Sequence, residues 1–335
     1  MLFVEVKEVE KCELVVAVGC LGVDSVKKLY WKCRKLFTFV CTDQSFADDM
    51  KKEQTRIANT GTFSVVESFL KGKHSEADNE DALFVGPAFA AVIDGATSKS
   101  DFRKDGMTTG QWAVQCVMEA LQVLPADATC AEAVAAVTER IHTFYETNRL
   151  LEQVIATPVC RCTASAVIYS AFRKEVWQVG DCRCLTHTFY SANEKAVDHI
   201  MAEARVACNE AALASGMTID ELAACDPGRA FILPFLKQQA WLQNRTDARY
   251  AYAVFDGFQV PMQQVKCFSV ADETEIVLAS DGYPKLFFTL DETEAYLRRM
   301  LAGDPLCMHR NVGTKGVRPG NCSYDDRAYL RLRIG

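Results

Sequence analysis

Residues 63–95 read FSVVESFLKGKHSEADNEDALFVGPAFAAVIDG, and this stretch decides the fold. Phe63 to Phe69, Ala82 to Val85 and Phe89 to Ile93 are short runs rich in β-branched and aromatic residues. Polar and Gly-Pro turns separate them, so the stretch predicts an antiparallel meander. Beyond it, Gly110 to Leu124 and Cys130 to Tyr145 carry amphipathic helical patterns, and Pro125-Ala126-Asp127 breaks them into a helical hairpin.

Strand patterns return at Thr163 to Ala171, Glu175 to Val179 and Cys184 to Tyr190, followed by a helix-rich stretch from about Glu194 to Leu242. Tyr250 to Val254, Gln264 to Ser269 and Glu275 to Ala279 read as strands, Asp291 to Leu301 as a helix and Arg327 to Arg333 as the last strand. Strand runs broken by paired helices, without regular β-α alternation, predict an α+β protein: a central antiparallel β-sandwich rather than a doubly wound sheet. Residues 1–55 differ in character. An apolar β-like run is followed there by the basic aromatic stretch Lys27 to Lys35 and by the acid pair Asp48 and Asp49. They read as an N-terminal extension, either an accessory strand pair or a partner-binding segment, ahead of a domain over 56–335.

Composition narrows the function classes. In 335 residues, 49% hydrophobic and 24% charged, there is apolar material for a sizeable core. Thirty-seven basic against 44 acidic residues give a formal charge of −7, with no basic stripe of the sort that tracks a phosphate backbone, so nucleic acid is not expected as a partner. An acidic protein that handles phosphate needs a local cation to overcome its own field. The apolar run Leu14 to Val23 is too short to span a bilayer and follows glutamates, so neither a signal peptide nor membrane association is expected. Fifteen scattered cysteines suit a reducing, cytoplasmic setting. The C-x-C pairs Cys160/Cys162 and Cys182/Cys184 lack the further ligands of a zinc knuckle and read as buried thiols.

The chemistry lies in acids at strand ends: Glu80 and Asp81, Asp94 in Val92-Ile93-Asp94-Gly95, Asp281 in Ala279-Ser280-Asp281-Gly282, and Asp325 with Asp326. An apolar strand ending in Asp-Gly delivers a carboxylate to one rim of a sheet, while the glycine frees the backbone to turn and expose a carbonyl. Several carboxylates on one rim would repel each other unless hard cations, which prefer oxygen ligands, neutralised them. Gly180-Asp181 and Phe255-Asp256-Gly257 read as turns.

The ordered series Asn79-Glu80-Asp81, Ile93-Asp94-Gly95, Gly180-Asp181-Cys182-Arg183, Ala279-Ser280-Asp281-Gly282 and Asp325-Asp326-Arg327 resembles the motifs of type 2C protein serine/threonine phosphatases over about residues 60–335. The resemblance implies helices on both sides of the sandwich, a pair of Mn²⁺ or Mg²⁺ ions, and hydrolysis of phosphoserine or phosphothreonine by a metal-bridged water without a covalent intermediate. It further implies Asp94, Asp281 and Asp325 as catalytic residues, and Glu80, Asp94, the Gly95 carbonyl, Asp281 and Asp325 as metal ligands, with Asp81 supporting their water shell. A monomer acting on phosphoprotein is the expected state.

Three departures from the family pattern stand out. Glu76 occupies the place of a phosphate-gripping arginine, leaving Lys73 and His74 as substitutes. Ala96 replaces a frequent histidine after Asp-Gly, and Cys160 replaces an aspartate that helps hold a third metal. A catalytically dead phosphatase fold that only binds partners, and a small-metabolite phosphatase, are the competing readings.

Overall fold

The computed structural model describes residues 63–100 and 102–335, so the expectations for residues 1–55 lie outside the described residues. Among the described residues ten strands build two antiparallel sheets. The first is ordered β1 (Phe63–Lys71), β10 (Arg327–Ile334), β9 (Glu275–Ala279), β6 (Arg183–Leu185) and β7 (Tyr190–Ser191). The second is ordered β2 (Asp81–Val85), β3 (Phe89–Gly95), β4 (Ala164–Ser170), β5 (Glu175–Val179) and β8 (Lys266–Ser269).

The central strands are apolar on both faces because each face meets a different layer. In β3, Ala90 and Val92 point into the sandwich with Val167, Leu278 and Leu330, whereas Ala91 and Ile93 point the other way, toward Val117, Leu121, Val137 and Ile141. The latter four belong to α1 (Thr109–Val123) and α2 (Cys130–Thr147), the helical hairpin expected from the sequence. Thr108 and Thr129 each close a reciprocal capping box, with Gln111 and Glu132 respectively, and so fix both helix starts. On the outer face of the first sheet, Val277, Ala279 and Tyr329 pack against Leu297 and Met300 of α7 (Leu290–Gly303). Helices therefore flank the sandwich on both sides.

Between β7 and β8 the chain runs through α4 (Ala196–Ala214), α5 (Ile219–Cys225) and α6 (Pro227–Gln238). Arg205 on α4 is almost wholly buried, and its guanidinium donates to Asp226 and to the carbonyls of Leu306, Cys307 and Gly313. That network ties the helices to the loop before β10.

Three local readings are corrected. Tyr250 to Val254 is not a strand; only an isolated bridge pairs Tyr252 with Gln243. An apolar run alone cannot make a strand where no neighbour offers a continuous ladder. Cys184 to Tyr190 divides into β6 and β7, because the backbone turns between Thr186 and Phe189. A short helix, α3 (Leu151–Ala156), was not foreseen. Among the described residues no helix is long and apolar enough to cross a membrane, and Cys162, Cys182 and Cys184 are buried free thiols.

Candidate metal centre

Strand register assembles the acids. In the β2–β3 ladder Asp81 stands opposite Asp94, and in the β3–β4 ladder Asp94 stands opposite Ser165. Ser165 donates to Asp181 at 2.5 Å, so Asp81, Asp94 and Asp181 form a row across one end of the second sheet. The first sheet contributes Asp281 after β9 and Asp325 before β10. Two glycines permit the close approach: a Cβ on Gly95 would come within 2.6 Å of the Glu80 and Gly110 carbonyl oxygens, and one on Gly282 within 1.9 Å of the Asp326 carbonyl oxygen. Any side chain there would push the carboxylate-bearing loops apart.

Carboxylate oxygens of Asp94, Asp181 and Asp281 all lie within 4.8 Å of one another. The electrostatics are those of a cluster short of cations. Burial, then repulsion from Asp281, Asp81 and Asp181, holds the Asp94 carboxyl well above the usual carboxylate range. Burial together with Asp181 and Asp325 pushes Asp281 up to about 7. Asp81 is buried and also shifted far upward, chiefly by desolvation, and its Oδ2 has no hydrogen-bond partner among the described residues. An all-oxygen donor set with unsatisfied negative charge and an orphaned buried oxygen fits hard divalent cations.

Two other acids are compensated by lysines. Burial would raise Asp181, but Lys195 at 2.7 Å and the Ser165 hydroxyl outweigh it and hold the carboxyl below its ordinary range. Asp325 is held far below it in the same way, against burial, by Lys315 at 2.5 Å and Lys73 at 3.1 Å.

The structure brings Asp94, Asp281 and Asp325 together on the wall of a cavity of about 490 Å³. Glu80 is buried nearby, but its carboxylate accepts from the Thr108 hydroxyl at 2.5 Å and is not among the three mutually close acids. Lys73 is committed to Asp325, Asp326 and Thr97, and His74 is exposed outside the cavity wall. Asp326 is an organiser: it accepts from the Lys73 and Glu80 backbone N–H groups at 2.8 and 3.2 Å. Cys160 packs against the helix-side apolar core, while its neighbours Val159 and Arg161 line the cavity.

Gly180-Asp181 reads as a turn, and the structure places the Asp181 carboxylate within the acidic cluster as well. Its signal was present, since Gly180-Asp181 ends an apolar strand as the other acids do. Lys195 carried no such signal, because it meets Asp181 only through the tertiary fold. Asp256 is, as expected, a turn residue, fully buried, accepting from Phe258 N–H and from Arg161 and Asn244.

A family model described as protein phosphatase 2C matches residues 72–303 of the chain. No curated protein sequence matches it. Among solved structures it is similar to PppA, a regulatory component of the type VI secretion system of Pseudomonas aeruginosa, at 16% identity over 82% of this chain and 99% of that one, with a TM-score of 0.41. The catalytic domain of the serine/threonine protein phosphatase PstP in complex with two manganese ions is 16% identical over 82% of this chain and 98% of that one (TM-score 0.39). The phosphatase Stp1 of Staphylococcus aureus is 13% identical over 80% and 94% respectively (TM-score 0.40).

Proposed function

The chain belongs to the protein phosphatase 2C family, and from that premise we propose that it hydrolyses phosphate monoesters, its substrates being phosphoserine and phosphothreonine residues of proteins. Divalent cations are its cofactors. In this reading there are two of them, Mn²⁺ or Mg²⁺, and Asp94, Asp281 and Asp325 hold them with the Gly95 carbonyl and Glu80. Asp181 joins the set, and Asp81 supports it from behind. The observation that carries the reading is the convergence of Asp94, Asp181 and Asp281 within 4.8 Å at the cavity wall, where their own charges leave them under strong mutual repulsion.

When bound, such cations neutralise phosphoryl oxygens and bring the ionisation of water toward neutral pH, so no nucleophilic side chain is required. The chain's own contribution is to fix the carboxylates before substrate arrives. Ser165 and Lys195 anchor Asp181, and Lys315 and Lys73 anchor Asp325, so little reorganisation is left for the reaction itself. The cavity has room for a phosphorylated side chain.

The test is hydrolysis of an aryl phosphate with and without Mn²⁺, followed by a panel of phosphopeptides. Turnover that depends on Mn²⁺ and extends to phosphoseryl or phosphothreonyl peptides is expected. A chain that binds Mn²⁺ but turns over none of these substrates is a binding module instead.

A further inference from the structure

The wall of the same cavity carries basic side chains that the metal centre does not use. Most of the basic side chains around the cavity already have a carboxylate: Lys195 pairs with Asp181, Lys315 with Asp325, Arg161 with Asp256 and Arg183 with Glu194. Arg310, which also lines the cavity and makes no ion pair among the described residues, is exposed, whereas Lys99 and Arg229 are half-buried. Among the described residues neither makes an ion pair; Lys99 donates only to the Thr97 carbonyl at 3.4 Å, and Arg229 only to the Thr314 carbonyl at 2.9 Å.

Both are half-buried, and both line the cavity. The charge of Arg229 also reaches Lys99. Burial, and then the positive charges of Arg229 and Lys315, push Lys99 down to about 8, and Arg229 is lowered by burial and by Arg318 beside it. The acids whose charge reaches them make no ion pair with either: Asp198 accepts from Gln239, Asp226 accepts from Arg205, Asn209 and the Arg229 backbone N–H, and Asp325 pairs with Lys315 and Lys73. Like charges held together at a partly dry wall are costly unless an anion completes them.

We propose that Lys99 and Arg229 form a second anion subsite of the cavity, which takes an acidic side chain flanking the phosphorylated residue of a peptide substrate. The substrate class rests on the phosphatase reading; the binding of an acidic peptide does not. Flanking acid would be drawn to this wall, which sets the direction in which a peptide lies.

The experiment uses the full chain loaded with Mn²⁺ and a fluorescent tetraglutamate peptide that carries no phosphate, with affinity read by anisotropy. Lys99→Gln and Arg229→Gln are each expected to weaken binding at least about 10-fold, the loss of one charge-assisted hydrogen bond. Lys99→Arg should restore it, and added salt should weaken the wild type. Arg140→Gln, remote from the cavity, serves as the control and should bind as wild type. Failure of the wild type to bind the peptide, or equal affinity in both glutamine variants and the wild type, overturns the subsite. Hydrolysis separates the two ideas. Peptide binding through Lys99 and Arg229 without turnover of any phosphoester would leave the subsite standing and remove the phosphatase reading. Turnover of phosphopeptides with the same kcat/KM whether or not acidic residues flank the phosphate would do the reverse.

Discussion

Replacing Asp94 by Asn should move stability in opposite directions with and without metal. In the metal-free protein the substitution deletes one of three charges whose oxygens lie within 4.8 Å of one another. At that separation each like-charge pair costs about 3.5 kcal/mol at an effective dielectric of ~20 and about 0.9 kcal/mol in bulk water. Asp94 is half-buried and its own carboxyl is held well above the usual range, and Asp281, pushed up to about 7, is only partly ionised at neutrality, so only part of that cost is present. A net gain of about 1–2 kcal/mol remains, or roughly 2–8 °C in Tm for a domain of this size. With Mn²⁺ the order reverses. Wild type gains about 2.7 kcal/mol when free metal stands at 100 times Kd, and the variant forfeits most of that. Scanning calorimetry of both proteins, after chelation and after reloading, reads the four values, and aryl phosphate hydrolysis should fall by roughly 10²-fold or more. A metal-free variant less stable than wild type, or near-normal turnover at saturating Mn²⁺, would refute the reasoning.

Other expectations follow from the same charges. Lys195→Met strips Asp181 of its partner at 2.7 Å, so the metal-free protein should lose stability while the rise in Tm on adding Mn²⁺ becomes larger than in wild type. Asp281 and Asp94 have carboxyl pKa values raised by folding, so the folded state binds protons more tightly than the unfolded one; the Asp281 contribution is complete below about pH 4 and is lost as pH rises through about 7, and Asp94 acts in the same sense. The metal-free Tm should therefore decline between pH 5 and 8, and a rise over that window would contradict the assignment. Asp325 and Asp181 act in the opposite sense and weaken the fold only at lower pH, as they protonate. Arg205→Ala should cost about 3–5 kcal/mol in denaturant titration, because it breaks a buried pair with Asp226 and strands three carbonyls. Asp256→Asn should cost about 1–3 kcal/mol through its Arg161 contact and leave turnover of the folded protein within a few-fold.

The sandwich was legible because its central strands are apolar on both faces, and Phe89–Gly95 and Glu275–Ala279 can be buried only between layers. The strand-end acids were legible for a related reason: a carboxylate directly after such a strand has only the rim to occupy. Pairing across the fold was not. Asp181 resembled an ordinary turn until Ser165 and Lys195, 16 residues before and 14 after it, were brought alongside. Lys73, with His74 one of two possible phosphate contacts, is held by Asp325 and Asp326, more than 250 positions later. The apolar run Tyr250 to Val254 misled because a strand also needs a neighbour, which local sequence does not report. Nothing in the order of residues brings Lys99 and Arg229 to one wall either; the excursion through α4 to α6 does that.

The central claim is that this carboxylate cluster is a metal centre that hydrolyses phosphomonoesters. Its most direct test is to titrate Mn²⁺ into the chelator-stripped protein while following bound metal by electron paramagnetic resonance and aryl phosphate hydrolysis in the same samples. The account predicts no more than two tight ions per chain and a rate that climbs with their occupancy and levels off when they are filled. Hydrolysis by the stripped protein, a rate indifferent to occupancy, or a requirement for a third tight ion would contradict it.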